Sequence, residues 1–536
     1  MNNTFLRGTY MLTIAAFVVK IFGFIYVIPF VAMLGEGKYI LFEYAYKPYI
    51  ILLSLATLGI PNAVAKFVSK YREKGDFHII NALLRSGIII MLVLGTLSFL
   101  VLYSSAHVVA GWLIDPQDNS GNSIEDVVYV IKMISYSLII VPLLALIRGF
   151  MQGFQEMAPT SISQVIEQII RILIILLGTY ITLYVLHRSP VKAVGLATLS
   201  SFISGLSALI IVFVFLYKGD YGLTKIKKSV SYKKLYKELI TYAIPFIFVG
   251  VSIPLFQSID TFMVNNILVN KGFSLGEAET SNALISLVQK IVVIPVALAT
   301  AFSVSLVAYI TKSYEGKRMD EVKNHINQSF KVLMFFTLPS IGALVMLSTP
   351  IFASVYGITN IESGSNLLLW YSFSPLFYSM FSITAAILQG INQQRWVVYS
   401  LLGGIVVKLL SNIPLVSSLG GVGTAVSTYI GLGFTLIIQM ILIQKHVHYN
   451  WLKNFKVLKS IFIQTLVMMI ILLPFGVIST AYKSYLAQAC ILVISSLVGG
   501  IIYLFMAYKN HTLFSVVSRS RLEKIFKRRK SISSGH

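Results

Sequence analysis

The chain has 536 residues, 56% hydrophobic and only 12% charged, about half the charge of an ordinary soluble domain, which excludes a soluble globular protein. Its net charge of +23 sits mostly in loops between apolar runs, so nucleic acid is not the expected partner. One cysteine, Cys490, excludes an internal disulfide and a cysteine metal cluster.

Apolar runs near ~20 residues, each able to cross a hydrocarbon core of ~30 Å, recur from end to end. Backbone groups in lipid must be paired internally, and runs of this length fit helices better than the ~10-residue strands of a barrel. The expected fold is therefore an all-α polytopic membrane protein with about fourteen spans. Their centres fall near Phe22, Leu55, Leu94, Leu138, Ile174, Ser204, Pro254, Ile294, Val332, Pro375, Val406, Phe434, Met468 and Leu497.

The first run carries Lys20 at its middle and lacks a small-residue cleavage site, so it reads as a span rather than a signal peptide. Lys47, before Pro48, lies near the start of the second span. The fourth and fifth spans are joined by RGFMQGFQEMAPTSISQVIEQIIRI, residues 148–172. Its first part reads as a helix end and a tight turn, with Pro159 placed to start the fifth span. Arg148 is expected to anchor there at the membrane boundary, among polar groups that meet water and headgroups. In the second part Ser163, Glu167 and Arg171 share one stripe. Glu167 and Arg171, at i and i+4, are expected to form a structural charge pair rather than a ligand contact.

Asp260 lies in the seventh span, Lys290 at the middle of the eighth and Lys408 at the middle of the eleventh. A charge at mid-bilayer costs at least ~2.5–3.5 kcal/mol, so such groups face a cavity or a partner. Lys20 and Lys290 are too deep to reach the interface and read as cavity-facing; Lys47 can either snorkel or face the cavity. Asp260 can pair with Lys408 or bind Na⁺ or a proton, and residue order leaves both open. Bases outnumber acids among these candidates, which suits an anionic ligand; an exporter of organic cations would want carboxylates. There is no P-loop and no HExxH motif, so a transporter is expected rather than an enzyme. No cofactor or metal is expected beyond Na⁺ or H⁺ coupling.

One set of loops holds roughly 30 Lys and Arg and the opposite set roughly 5, a positive-inside signal that places both termini in the cytoplasm. The KRRK run of the tail suits anionic lipid. Three pairs of segments also match in order: VSKYREKGD with ITKSYEGKRMD, GFMQGFQ with AILQGINQ, and AVGLATLSSFISG with GVGTAVSTYIGLG. Six spans separate the equivalents, so the halves are parallel repeats, with a ligand site expected between them near mid-membrane. The expected domains are an N-lobe at 1–225, a C-lobe at 226–450, accessory helices at 451–510 and a basic tail at 511–536.

KIFGFIYVIPFVAMLG, EYAYKPYIILLSLATLGIPNAVAKFVSKY and RGFMQGFQEMAPTSISQVIEQIIRI together resemble the SpoVB/YtgP branch of the polysaccharide-transporter family. That branch includes MurJ-type lipid II flippases of the multidrug/oligosaccharidyl-lipid/polysaccharide (MOP) exporter superfamily. The resemblance covers essentially the whole chain. It implies two six-helix lobes in a MATE-like V shape, with two further helices forming a groove for lipid. It implies a monomer in the bacterial cytoplasmic membrane that exports an undecaprenyl-pyrophosphate-linked precursor, lipid II first among them, by alternating access driven by the membrane potential or an ion gradient. Relatives carry other lipid-linked polysaccharides, and a cation-coupled multidrug exporter on the same fold is the alternative. Flippases of this type often place bases in the first, second and eighth spans, which here hold Lys20, Lys47 and Lys290. The position six beyond the first-span lysine, basic in many members, is Tyr26.

Overall fold

The computed structural model describes residues 11, 15, 18–19, 21–57, 60–114, 118, 120–219, 221–222, 232–451, 455–482 and 484–513. Lys20 and the tail from 514 onward lie outside the described residues. Eleven helices among the described residues are long and apolar enough to cross a membrane. All fourteen expected span centres fall on helix. Contacts divide the chain into two compact units, Met1–Ser286 and Leu287–His536.

The first unit opens with α1 (Ile21–Leu34). Gly35, at φ 71°, ends it in a backbone region that side chains disfavour. Next come α2 (Glu36–Thr57), α3 (Ile60–Glu73), α4 (Phe77–Ser104) and α5 (Ala106–Leu113). The start of α6 (Ile124–Ser135) is a reciprocal cap: Asp126 N–H donates to Ser123 Oγ and Ser123 N–H to Asp126 Oδ2. After α7 (Ser137–Gly153) and α8 (Met157–Tyr180), Pro190 starts α9 (Pro190–Lys218), where its missing N–H is not needed. Then follow α10 (Tyr232–Val269) and α11 (Leu275–Glu315), whose first part closes the unit. Its core joins α3, α4, α7 and α9 through Val64, Phe67, Leu83, Ile147, Phe150 and Leu209.

The second unit takes the rest of α11, then α12 (Met319–Met346), α13 (Ser348–Tyr356), α14 (Ile361–Tyr371) and α15 (Ser374–Gly390). It continues with α16 (Gln394–Leu419), α17 (Val422–Val447), α18 (Phe455–Ala481) and α19 (Tyr485–Lys509). The last two pack on α12 and α13 around Phe335, Leu347, Met468, Leu472 and Tyr503, and Tyr503 OH donates to Phe335 O at 2.7 Å. Val493, Leu497, Ile501 and Leu504 remain exposed along α19, a stripe that suits acyl chains.

The sequence repeat recurs in the backbone. Gly75 and Lys317 close their turns at φ 72° and 54°, with the same bonds: Gly75 N to Arg72 O and Asp76 N to Tyr71 O, Lys317 N to Tyr314 O and Arg318 N to Ser313 O. Gln155 and Asn392 do likewise at φ 62° and 60°. Two glycines make equivalent close approaches. A Cβ on Gly153 would lie 2.6 Å from Val68 Cβ, and one on Gly390 would lie 2.8 Å from Ile310 Cβ. Both sites need a residue without a side chain.

Candidate functional site: buried charge clusters of the first unit

The turn after α7 folds α8 back along it. Arg72 Nη1 donates to Phe154 O at 2.6 Å, and Tyr221 OH donates to Glu156 Oε2 at 2.5 Å. Burial first, and Glu156 second, push the Tyr221 hydroxyl well above its usual range. This fixed hairpin brings four side chains together. Arg148 Nη1 meets Glu167 Oε2 at 2.9 Å, and Arg171 Nη2 meets Glu167 Oε1 at 2.6 Å. Arg148 Nε donates to Ser163 Oγ at 2.9 Å.

The Glu167–Arg171 contact follows the expected i, i+4 geometry. Arg148 corrects the expectation of a boundary anchor, because its side chain is only 13% exposed. The reason is that α7 continues to Gly153, so Arg148 lies more than a turn inside the bundle. Glu167, which it shares with Arg171, offsets only part of the cost of burying it. The cluster holds two guanidiniums and one carboxylate, a net charge of +1 among the described residues.

A second cluster lies in α2. Lys47 Nζ is 3.6 Å from Glu43 Oε2, and Tyr39 OH donates to Glu43 Oε1 at 2.6 Å. Both charged side chains are buried. Glu43 stands one turn before Lys47, at the i, i+4 spacing that lets the two side chains meet.

A third network joins α2, the segment before α6, α10 and the start of α11, all within the first unit. Asn122 donates from its backbone N and from Nδ2 to Glu279 Oε2, both at 2.8 Å, and Lys38 Nζ donates to Asn122 Oδ1 at 2.7 Å. Gly121 permits this approach, since a Cβ there would lie 2.5 Å from Glu279 Oε2. Asn265 Nδ2 reaches Tyr44 OH at 2.5 Å and Leu113 O at 2.7 Å, and Asn282 Nδ2 reaches Asn265 Oδ1 at 3.0 Å. Asp118 Oδ2 accepts from Leu275 N at 2.7 Å, capping α11. The partners of Asp118 and Asn122 lie more than 150 positions away, which no local pattern reveals.

The other expected residues are distributed as follows. Lys20 lies outside the described residues. Asp260 is buried on α10 in the first unit. Lys290 is half-buried on the part of α11 in the second unit. Lys408 is fully buried in the second unit, where its Nζ donates to Thr428 Oγ1 at 2.8 Å. Among the described residues no group of three His, Cys, Asp or Glu could hold a metal ion.

A family model described as "Polysaccharide biosynthesis protein" matches residues 5–301. The lipid II flippase MurJ of Bacillus subtilis (strain 168) is 37% identical over 547 residues, covering 98% of this chain and 99% of that protein. Stage V sporulation protein B of the same organism is 23% identical, covering 83% and 84%. Among solved structures, a lipid II flippase MurJ in an inward closed conformation matches with TM-score 0.67 at 16% identity, over 94% of this chain and all of the other. An inward-facing multidrug MATE transporter of the MOP superfamily matches with TM-score 0.68 at 14% identity, over 82% and 98%.

Proposed function

Because the chain belongs to the polysaccharide biosynthesis family, and within it to the MurJ-type flippases of the MOP superfamily, we propose that it carries lipid II across the bacterial cytoplasmic membrane. The end-to-end likeness to the Bacillus subtilis flippase carries this reading. The protein is a transporter, not an enzyme. A drug exporter shares only the fold likeness.

In this reading Lys20, Lys47 and Lys290 hold the diphosphate by charge-assisted hydrogen bonds. Lys47 already has a buried counter-charge in Glu43, so a diphosphate must compete with that carboxylate, and release restores the internal pair. That exchange favours turnover over permanent capture. Transport proceeds by alternating access with both termini in the cytoplasm, and the chain acts as a monomer. An inside-negative potential favours outward movement of an anion by about 2.3 kcal/mol per charge per 100 mV. Asp260 is the candidate for Na⁺ or H⁺ coupling. The network of Asn122, Glu279 and Asn265 acts as a latch at its end of the first unit, because opening there breaks several hydrogen bonds to buried groups.

Native mass measurement of the purified protein tests the cargo. A bound species with the mass of lipid II is expected. A different polyprenyl-linked glycan would reassign the substrate, and substrate-driven cation exchange with no bound polyprenyl lipid would replace the flippase reading.

A further inference from the structure

We infer that the Arg148–Glu167–Arg171 cluster is an additional phosphate-binding subsite, contributed by α7 and α8, rather than only a strut between those helices. This rests on the flippase reading and adds a place for the anionic head group that residue order had classed as structural.

Three observations carry it. The first is charge. A strut needs one cation for one carboxylate, and the Glu167–Arg171 contact already provides that. Burying Arg148 as well leaves an uncompensated positive charge, which is costly unless an anion shares the site.

The second is unsatisfied donors. Arg148 Nη2 and Arg171 Nε are buried and meet no acceptor among the described residues. Leaving a buried charged donor unmade costs more than an ordinary lost hydrogen bond. Both nitrogens belong to guanidiniums, whose planar fork matches phosphate oxygens.

The third is orientation. On α8 the exposed apolar stripe is Ile162, Ile169, Leu173, Leu177 and Tyr180. With about 3.6 residues per turn, Arg171 points to the opposite side. Its side chain is nevertheless 26% exposed. Exposure on the face turned away from lipid is open to water or a ligand, not to an acyl chain. Gly23 places α1 on the same face, since a Cβ there would lie 3.4 Å from Gln168 Nε2.

The test uses the full chain in phosphatidylcholine nanodiscs, titrated with inorganic pyrophosphate and, separately, with undecaprenyl diphosphate, while thermal stability without ligand is followed in parallel. Wild type is expected to bind both. Arg148→Gln leaves the Glu167–Arg171 pair in place and cancels the excess charge, so diphosphate affinity should fall at least tenfold. Arg171→Gln should fall similarly, and Arg171→Lys should recover most of the loss. Glu167→Gln raises the cluster charge and should tighten binding; should either glutamine variant of the arginines fail to fold, this sign decides the matter.

A third titration, with phosphatidylglycerol in the discs, separates the source of the phosphate. Competition that Arg148→Gln abolishes assigns the site to a membrane headgroup, and absence of competition assigns it to the cargo. Wild-type affinity in Arg148→Gln and Arg171→Gln, with only thermal stability altered, would overturn the subsite and leave the flippase reading intact. A wild-type protein that binds no diphosphate at all would overturn the flippase reading itself.

Discussion

Arg171 on α8 and Lys408 on α16 stand at equivalent places in the repeat. Each lies fourteen residues beyond the first residue of its helix, Met157 or Gln394, after the same Gln-Gly turn with a left-handed residue. Their surroundings differ. Arg171 shares a carboxylate with Arg148 and keeps part of its surface open. Lys408 is fully buried and donates to Thr428 on α17. The counterpart of Glu167 is Gly404, where a Cβ would collide with Thr435 and come within 2.6 Å of Gly431 O. In the second unit α17 packs so closely on α16 that no carboxylate fits. In the first unit the corresponding space holds the charge cluster. A duplicated scaffold can thus keep its turns and glycine contacts while only one copy holds a partly open charge cluster at this place.

The shared scaffold should produce the largest stability effects, and equal ones. Gly153→Leu and Gly390→Leu each force a side chain into an occupied contact, and each should cost about 3 kcal/mol or more. Thermal unfolding in detergent checks this; a loss confined to one half would break the proposed equivalence. Lys408→Met should cost about 1.5–3 kcal/mol, the range for losing a hydrogen bond made by a charged group, with diphosphate affinity unchanged. Isothermal titration beside a melting curve separates the two readouts, and weakened affinity would place Lys408 with the ligand-binding bases.

The smallest effect belongs to Asp118. Its carboxyl is held below the usual range by Ser120 first and by Leu275 N–H as well. A lowered folded pKa means that its contribution is present above the unfolded carboxylate value and is lost as pH falls through the lower folded one. Asp118→Asn should therefore be slightly less stable at neutral pH and should lose less on acidification. An unchanged acid profile would remove Asp118 from the capping role.

Much of this architecture was legible in residue order. Long apolar runs locate helices because lipid forbids unpaired backbone. The repeat was visible because its turns require small or left-handed residues at fixed places, as at Gly75, Gln155 and Asn392. The i, i+4 spacing of Glu167 and Arg171 gave their contact. For Arg148, nearness to a turn in sequence suggests nearness to water, whereas α7 runs on past it. For Lys47, a mid-span base points to a ligand, whereas Glu43 one turn earlier supplies an internal counter-charge. The Asn122–Glu279 contact depends on segments brought together only by the fold.

The central claim is that cations on the interior faces of these helices carry a lipid-linked diphosphate outward. It is tested most directly in cells whose only lipid II exporter is this protein, by the fraction of lipid II open to an externally added enzyme that cleaves it. Wild type should expose lipid II. Lys290→Ala, although inserted at normal levels, should leave it protected and accumulated inside. Lipid II exposed to the same extent by the Lys290→Ala protein would contradict the account.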